Sequence, residues 1–169
     1  MTLPFHIRPA RTSDVPAIKA LVAPLAEQRV LMAKETVAYY EGLPEFRIAE
    51  SEDGDVLGCG ALHIMWEDLA EVRTLATSES ARGHGVGHAL VEKLLSEARG
   101  FGVSRVFCLT FEVEFFNRHG FEVMADQSAV DPMIYSELLR SHDEGVAEFL
   151  DLARVKPNTL GNTRMIRQL

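Results

Sequence analysis

Cysteine is scarce: only Cys59 and Cys108 occur in 169 residues, with no Cys-x-x-Cys spacing. That excludes a disulfide framework and a cysteine-based metal or redox motif. Each sits in an apolar, strand-like run, so both are read as reduced, buried thiols. Positive charge is also short, with 17 Lys and Arg against 25 Asp and Glu and a net charge of −8. Without a Lys/Arg-rich stretch a nucleic-acid surface is excluded, although one anionic ligand in a local basic pocket is not. No apolar run approaches the roughly 18 residues of a membrane span. The start MTLPFHIRPARTSD lacks the charged, apolar and small-residue regions of a signal peptide, so the expected location is the cytoplasm. Repeats, low-complexity tracts and Pro/Gly/Ser linkers are absent too. A single domain over 1–169 is expected, and 47% apolar residues suffice for its core.

What is present is an alternation of strand and helix patterns. FHIRPA reads as a first strand. Thr12, Ser13 and Asp14 then offer N-caps to a helix with apolar positions at Val15, Ile18, Leu21, Val22 and Leu25. KETVAYYEGL reads as a short second helix. EFRIAE, the turn EDGD and VLGCGALHIMW form a hairpin pattern, and AEVRTLAT is a fourth strand. A helix is predicted from about His84 to Phe101, with a stripe at Ala89, Leu90, Lys93, Leu94 and Ala98. SRVFCLT is a fifth, buried strand, EFFNRHGF a short helix closing at Gly120, and NTRMIRQL a last strand. The order β-α-α-β-β-β-α-β-α-β is mixed α/β, with a helical crossover between the fourth and fifth strands, and is not a Rossmann repeat.

RGHGVG, residues 82–87, places three glycines at the mouth of the long helix. A helix N-terminus exposes N–H groups and partial positive charge, and glycines let a phosphate approach them. No Lys-Ser/Thr follows, so the loop is not a P-loop, and the dinucleotide fingerprint is incomplete. Taken alone, such a loop is either structural or phosphate-binding.

Arg82-x-x-Gly85-x-Gly87, after a strand and before a long helix, resembles the acyl-CoA loop of the GNAT superfamily of N-acetyltransferases. A second stretch, Phe115-Phe116-Asn117-Arg118-His119-Gly120-Phe121, resembles that superfamily's Phe-Tyr-x-x-x-Gly-Phe helix. The resemblance implies a central mixed, mostly antiparallel twisted sheet of about seven strands flanked by helices. It implies acetyl-CoA as cosubstrate and no metal. The loop, Arg82, Gly83, His84, Gly85, Val86, Gly87 and His88, would hold the pyrophosphate. Leu75, Ala76 and Thr77 would pair with the pantetheine arm, and Arg118 would meet the CoA phosphates.

EVRTLATSESARGHGVG, FCLTFEVEFFNRHGF and the tail EFLDLARVKPNTLGNTRM are similar to the short, stand-alone amino-acid N-acetyltransferases of arginine biosynthesis, the N-acetylglutamate synthase type. This implies acetylation of the α-amine of glutamate or glutamine. Longer relatives carry an amino-acid-kinase-like domain in front, so arginine feedback of that type is in doubt here. By itself Glu71 reads as a solvated strand-start residue; the resemblance makes it the base that takes the amine proton. Most members protonate the departing thiolate with the Tyr of the second motif, but Phe116 stands there. The resemblance turns instead to Thr110, whose hydroxyl can relay a proton or hydrogen-bond the sulfur. TFEVE also replaces the usual Asn before the short helix, which leaves one pantetheine contact unassigned.

Carboxylate-bearing substrates need cationic and amide donors. Arg73, on the same strand face as Glu71, and Lys156, Asn158 and Arg164 of the tail are the candidates. His84 and His88 have a metal-like spacing, but His84 belongs to the loop and no acidic partner completes a site. His63 could face the cleft or the core. The rival readings are an acetyltransferase for a polyamine or drug, which an acidic pocket would favour, and a CoA-binding module without catalysis, which Phe116 would favour. Apolar residues between Gln127 and Val155 (Met133, Ile134, Leu138, Leu139, Phe149, Leu150) could cover a second subunit in a homodimer.

Overall fold

The computed structural model describes residues 3–31, 34–124, 131–150 and 161–169. Seven strands form one sheet: β1 (Phe5–Pro9), β2 (Phe46–Ser51), β3 (Val56–Trp66), β4 (Leu69–Thr77), β5 (Arg105–Thr110), β6 (Glu122–Val123) and β7 (Thr163–Gln168). Their spatial order is β1-β2-β3-β4-β5-β7-β6. β1 to β4 run as an antiparallel meander, β5 joins β4 in parallel, and β7 joins β5 antiparallel. The parallel step requires a crossover, which the helix α3 (Val86–Gly100) supplies. β6 went unread in the sequence because two residues carry no period.

Helices cover both faces. α1 (Val15–Glu27) and α2 (Thr36–Glu41) bury Val15, Ile18, Val22 and Tyr39 against Ile48, Cys59, Ala61 and Ala76. On the other face α3 buries Val91, Leu94, Leu95 and Ala98 against Leu62, Ala70, Val72 and Val106. α4 (Val113–Asn117) adds Phe116 to that core. α5 (Pro132–Leu138) and α6 (Glu144–Phe149) return to the first face, where Leu138, Val146, Phe149 and Leu150 pack on Met65, Leu69 and Phe107. Leu138, Phe149 and Leu150, expected to cover a partner, are thus buried within the chain, while Met133 stays exposed.

Three local expectations need correcting. α3 begins at Val86 rather than His84, because Gly85 holds a left-handed φ of 80° that no helix can incorporate. Lys93 leaves the buried stripe and points outward to pair with Glu97; Val91 and Leu95 take its place. Thr12–Asp14 form a 3-10 turn, and the Asp14 carboxylate accepts from Arg8 and the Arg11 N–H instead of capping α1.

Candidate active site

Two irregularities in β4 build the site. The first is an extra residue. Ala61 pairs with Arg73 and Cys59 with Ala76, so three steps on β4 answer two on β3. The bulge falls at Thr74, which takes a left-handed φ of 55° and is buried. A non-glycine residue held there is a strained position of the kind found at functional sites. The extra residue also resets the alternation of side chains: Val72 and Leu75, three apart, both reach the α3 face, and Ala76 reaches the α1 face.

The second irregularity is a parting of strands. β4 and β5 pair only at Leu69, Ala70 and Glu71. Beyond that point β4 continues with β3 and β5 with β7. A wedge opens between them, and the backbone of β4 facing it has no strand partner among the described residues. Leu75, Ala76 and Thr77 follow on β4 beyond that point, and the glycine loop comes next, with Gly87 close to Thr77.

In the loop, Arg82, Gly83, His84 and Gly85 are exposed. The backbone N–H groups of Val86, Gly87 and His88 have no backbone acceptor among the described residues; the first helical bond runs from Ala89 to Gly85. These free donors at a helix start suit a phosphate. α4 packs against the loop, since a Cβ on Gly87 would lie 3.5 Å from the Phe115 ring. Arg118, at the end of α4, is exposed on that side. The His88 ring is otherwise engaged: its Nδ1 lies 2.7 Å from His119 Nε2, and His119 Nδ1 lies 2.6 Å from Glu92 Oε1. Burial and the neighbouring His119 lower its pKa, so its ring is not a phosphate-binding cation at neutral pH. What His88 offers the loop is its N–H.

Glu71 sits where the wedge begins. It is only 5% exposed, unlike the solvated residue its strand-start position suggests. Burial pushes its pKa up, against the pull of Arg73. Its Oε2 accepts from Arg73 Nε at 3.0 Å, and Arg73 also grips Asp143 with both terminal nitrogens. Beside Glu71 lies a cavity of about 570 Å³ on the α1/α6 face. His63 opens onto it, with Nδ1 2.6 Å from Glu45 Oε1. Arg29 and Lys34 line it, and neither is in a salt bridge among the described residues. Glu148 lines it too, and burial beside Glu71 raises its carboxyl to a pKa of about 8, so it is largely protonated at neutral pH.

Thr110 ends β5 with its side chain buried. Its Oγ1 accepts the Glu112 N–H at 2.8 Å, and its own O–H has no acceptor among the described residues. Phe116 is buried, edge-on to Phe115 and Phe121, as a core residue. Arg164 does not line the cavity; its guanidinium donates to the carbonyls of Glu148 and Phe149 at the end of α6. Lys156 and Asn158 lie outside the described residues. Arg73 does border the cavity, but with its guanidinium occupied by two carboxylates of the chain.

Sequence reasoning missed Arg29, Lys34, Asp143, Glu148 and Asn162. None belongs to a spaced motif; three distant segments bring them together. Asn162 stands in the same tail as the residues chosen, and its buried Oδ1 has no partner among the described residues. An unpaired buried amide beside a cavity is the signal that marks it. No cluster of three or more His, Cys, Asp or Glu able to hold a metal occurs among the described residues. None of their helices is long and apolar enough to cross a membrane.

The profile of the acetyltransferase (GNAT) family matches residues 19–121. The chain is 53% identical over 162 residues to the amino-acid acetyltransferase of Mycobacterium tuberculosis, covering 95% of this chain and 92% of that one. A crystal structure of a Mycobacterium tuberculosis protein in complex with CoA and NLQ superposes with a TM-score of 0.92 at 52% identity, over 97% of this chain and 99% of that one. The N-acetylglutamate synthase of Neisseria gonorrhoeae, complexed with CoA and N-acetyl-glutamate, gives 0.78 at 28% identity over 100% of this chain. This chain spans 36% of that synthase.

Proposed function

The chain belongs to the acetyltransferase (GNAT) family, and from that premise we propose that it moves the acetyl group of acetyl-CoA to the α-amine of glutamate or glutamine, the first step of arginine biosynthesis. The observation that carries this reading is the place of Glu71, a buried carboxylate between the wedge of β4 and β5 and the cavity. CoA would lie with its pyrophosphate on the N–H groups of 86–88 and its pantetheine arm along Leu75, Ala76 and Thr77. The amino acid would fill the cavity.

Glu71 takes a proton from the acceptor ammonium, directly or through water. Its raised pKa makes it a better base than an exposed glutamate. The amine attacks the thioester carbonyl, and a backbone N–H of β4 near the bulge at Thr74 would meet its oxygen. Collapse expels the thiolate, the attacking nitrogen gives up its second proton, and the Thr110 hydroxyl hydrogen-bonds the sulfur or relays that proton to it. Arg29 and Lys34 supply the carboxylate contacts, with Arg73, Lys156 and Asn158 as the other candidates, and the Asn162 Oδ1 accepts from the ammonium. The mycobacterial amino-acid acetyltransferase and the gonococcal synthase support an amino-acid acceptor.

One observation favours a cationic amine instead: Glu35, Glu41 and Glu144 also line the cavity. Against it, Glu45 and Asp143 are paired with His63 and Arg73, and Glu148 is largely protonated. Thiol release from acetyl-CoA, followed with free amino acids, polyamines and an aminoglycoside, decides between them. Release with glutamate or glutamine, lost about 10²–10⁴-fold in Glu71→Gln, is the expected result. Release with polyamines alone overturns the amino-acid reading, and no release with any amine leaves a CoA-binding module.

A further inference from the structure

α6 looks polar in sequence, yet Gly145, Val146, Ala147, Glu148 and Phe149 are all buried. Its first turn lies directly over the Glu71 carboxyl. A Cβ built on Gly145 would overlap Glu71 Oε2, come within 2.8 Å of its Cδ and reach 3.0 Å from Arg73 Nη2. Real Cβ atoms do not approach so closely, so any side chain at this position and the observed Glu71 rotamer exclude one another. The adjacent Asp143 fixes the turn in place. One of its oxygens accepts the Val146 N–H of the helix start at 3.2 Å, and both hold Arg73. Arg73 in turn holds Glu71.

We propose that Gly145 is a positioning residue for Glu71: its missing side chain lets the backbone of α6 close over the carboxylate, hold it in one rotamer against Arg73 and shut water out from that side. The inference rests on the base role given to Glu71 above. The groups that set the charge around that carboxylate are Arg73 on its own strand, His63 on β3, Cys108 on β5, Lys34 ahead of α2, and Asp143 and Glu148 at α6. A methyl group at 145 leaves all of these in place. It meets only side-chain ends, the Glu71 carboxyl first and the Arg73 guanidinium at 3.0 Å, so the fold can absorb it by turning the carboxylate into the cavity.

Gly145→Ala is therefore expected to keep its melting temperature and its KM for acetyl-CoA. Its kcat should fall at least tenfold, and the acid limb of kcat/KM should move to lower pH as water reaches the carboxylate. Shortening the base makes room for the methyl, so Gly145→Ala should cost less in a Glu71→Asp background than in the parent enzyme. A kcat within twofold of the parent with an unmoved acid limb overturns the proposal, and so does an equal cost in both backgrounds. Glu71→Gln separates the two layers. Lost turnover there with normal turnover in Gly145→Ala overturns the positioning role alone, whereas normal turnover in Glu71→Gln overturns the base itself.

Discussion

Arg73 and Asp143, seventy positions apart, meet fork to carboxylate, with Nη1 2.9 Å from Oδ2 and Nη2 2.8 Å from Oδ1. The pair ties the second residue after the candidate base to the helix that roofs it. It also makes Arg73 a structural cation in the free protein, holding Glu71 with the donors that Asp143 leaves over.

Removing Asp143 has two consequences. Its charge is one of the causes that raise the Glu71 pKa, so Asp143→Ala lowers that pKa. Activity that depends on ionised Glu71 is lost as pH falls through this value, so the acid limb of kcat/KM moves to lower pH. The plateau rate falls as well, because a weaker base remains. Stability drops by about 1–3 kcal/mol, the cost of losing a charged hydrogen bond, since Arg73 keeps Glu71 as its partner. pH–rate profiles and denaturant unfolding measure the two effects separately.

Glu148 makes a prediction about stability. Burial, then the nearby Glu71, lifts its pKa from 4.5 to about 8 in the folded chain. Between those values the native state holds a proton that the unfolded chain has released. The stabilising contribution is complete below the unfolded value and is lost as pH rises through the folded one, a loss on the order of a few kcal/mol. Glu71 adds a slope of the same sign. Unfolding free energy of the parent should therefore decline from about pH 5 to pH 9, and Glu148→Gln should decline less. Parallel curves would show that Glu148 is ionised in the native cavity.

Much of the fold is written in local pattern. The helix stripes at Val15–Val22 and Leu90–Ala98, the hairpin, and the glycine loop all follow from residues close in sequence. What sequence could not yield was the roof of the cavity. EGVAEF has too few residues and too many charges to show a period, and its burial comes from landing on Phe107 and Leu69. The bulge at Thr74 is equally silent, because it is created by how β3 and β4 align. A family resemblance points to Glu71, but its burial depends on α6, which no motif marks. The tail marks Arg164 as a candidate carboxylate donor, and its contact with the end of α6 needs the carbonyls of Glu148 and Phe149 to be brought to it.

The glycine loop offers a test that separates cofactor binding from chemistry. Gly85 has a φ of 80° with nothing within 4 Å of where a Cβ would stand. Gly85→Ala therefore meets no clash, and its cost is the left-handed backbone alone, about 1–2 kcal/mol. Relaxing that strain turns the N–H groups of 86–88 away from a common point. KM for acetyl-CoA should rise about tenfold, as a loss of that size implies, with kcat nearly unchanged. A fall in kcat at constant KM would place the loop's role in the chemical step.

Thr110 carries the last prediction, and it follows from a hydrogen bond already spent. Its Oγ1 accepts the Glu112 N–H, so the turn after β5 fixes the hydroxyl and leaves only its proton to give. Phe116 has no proton to offer. Thr110→Val keeps the shape but removes the donor and strands the Glu112 N–H, costing stability of about 1–3 kcal/mol. If the hydroxyl attends the departing sulfur, kcat should fall about 10–100-fold, the effect of losing one donor to developing charge. Thr110→Ser should restore most of it, because serine keeps both the accepted and the donated bond. The leaving group provides the discriminating readout: an acyl donor with a more acidic thiol needs less help, so the Thr110→Val defect should shrink with it. A defect that stays constant across thiols would confine Thr110 to holding the turn.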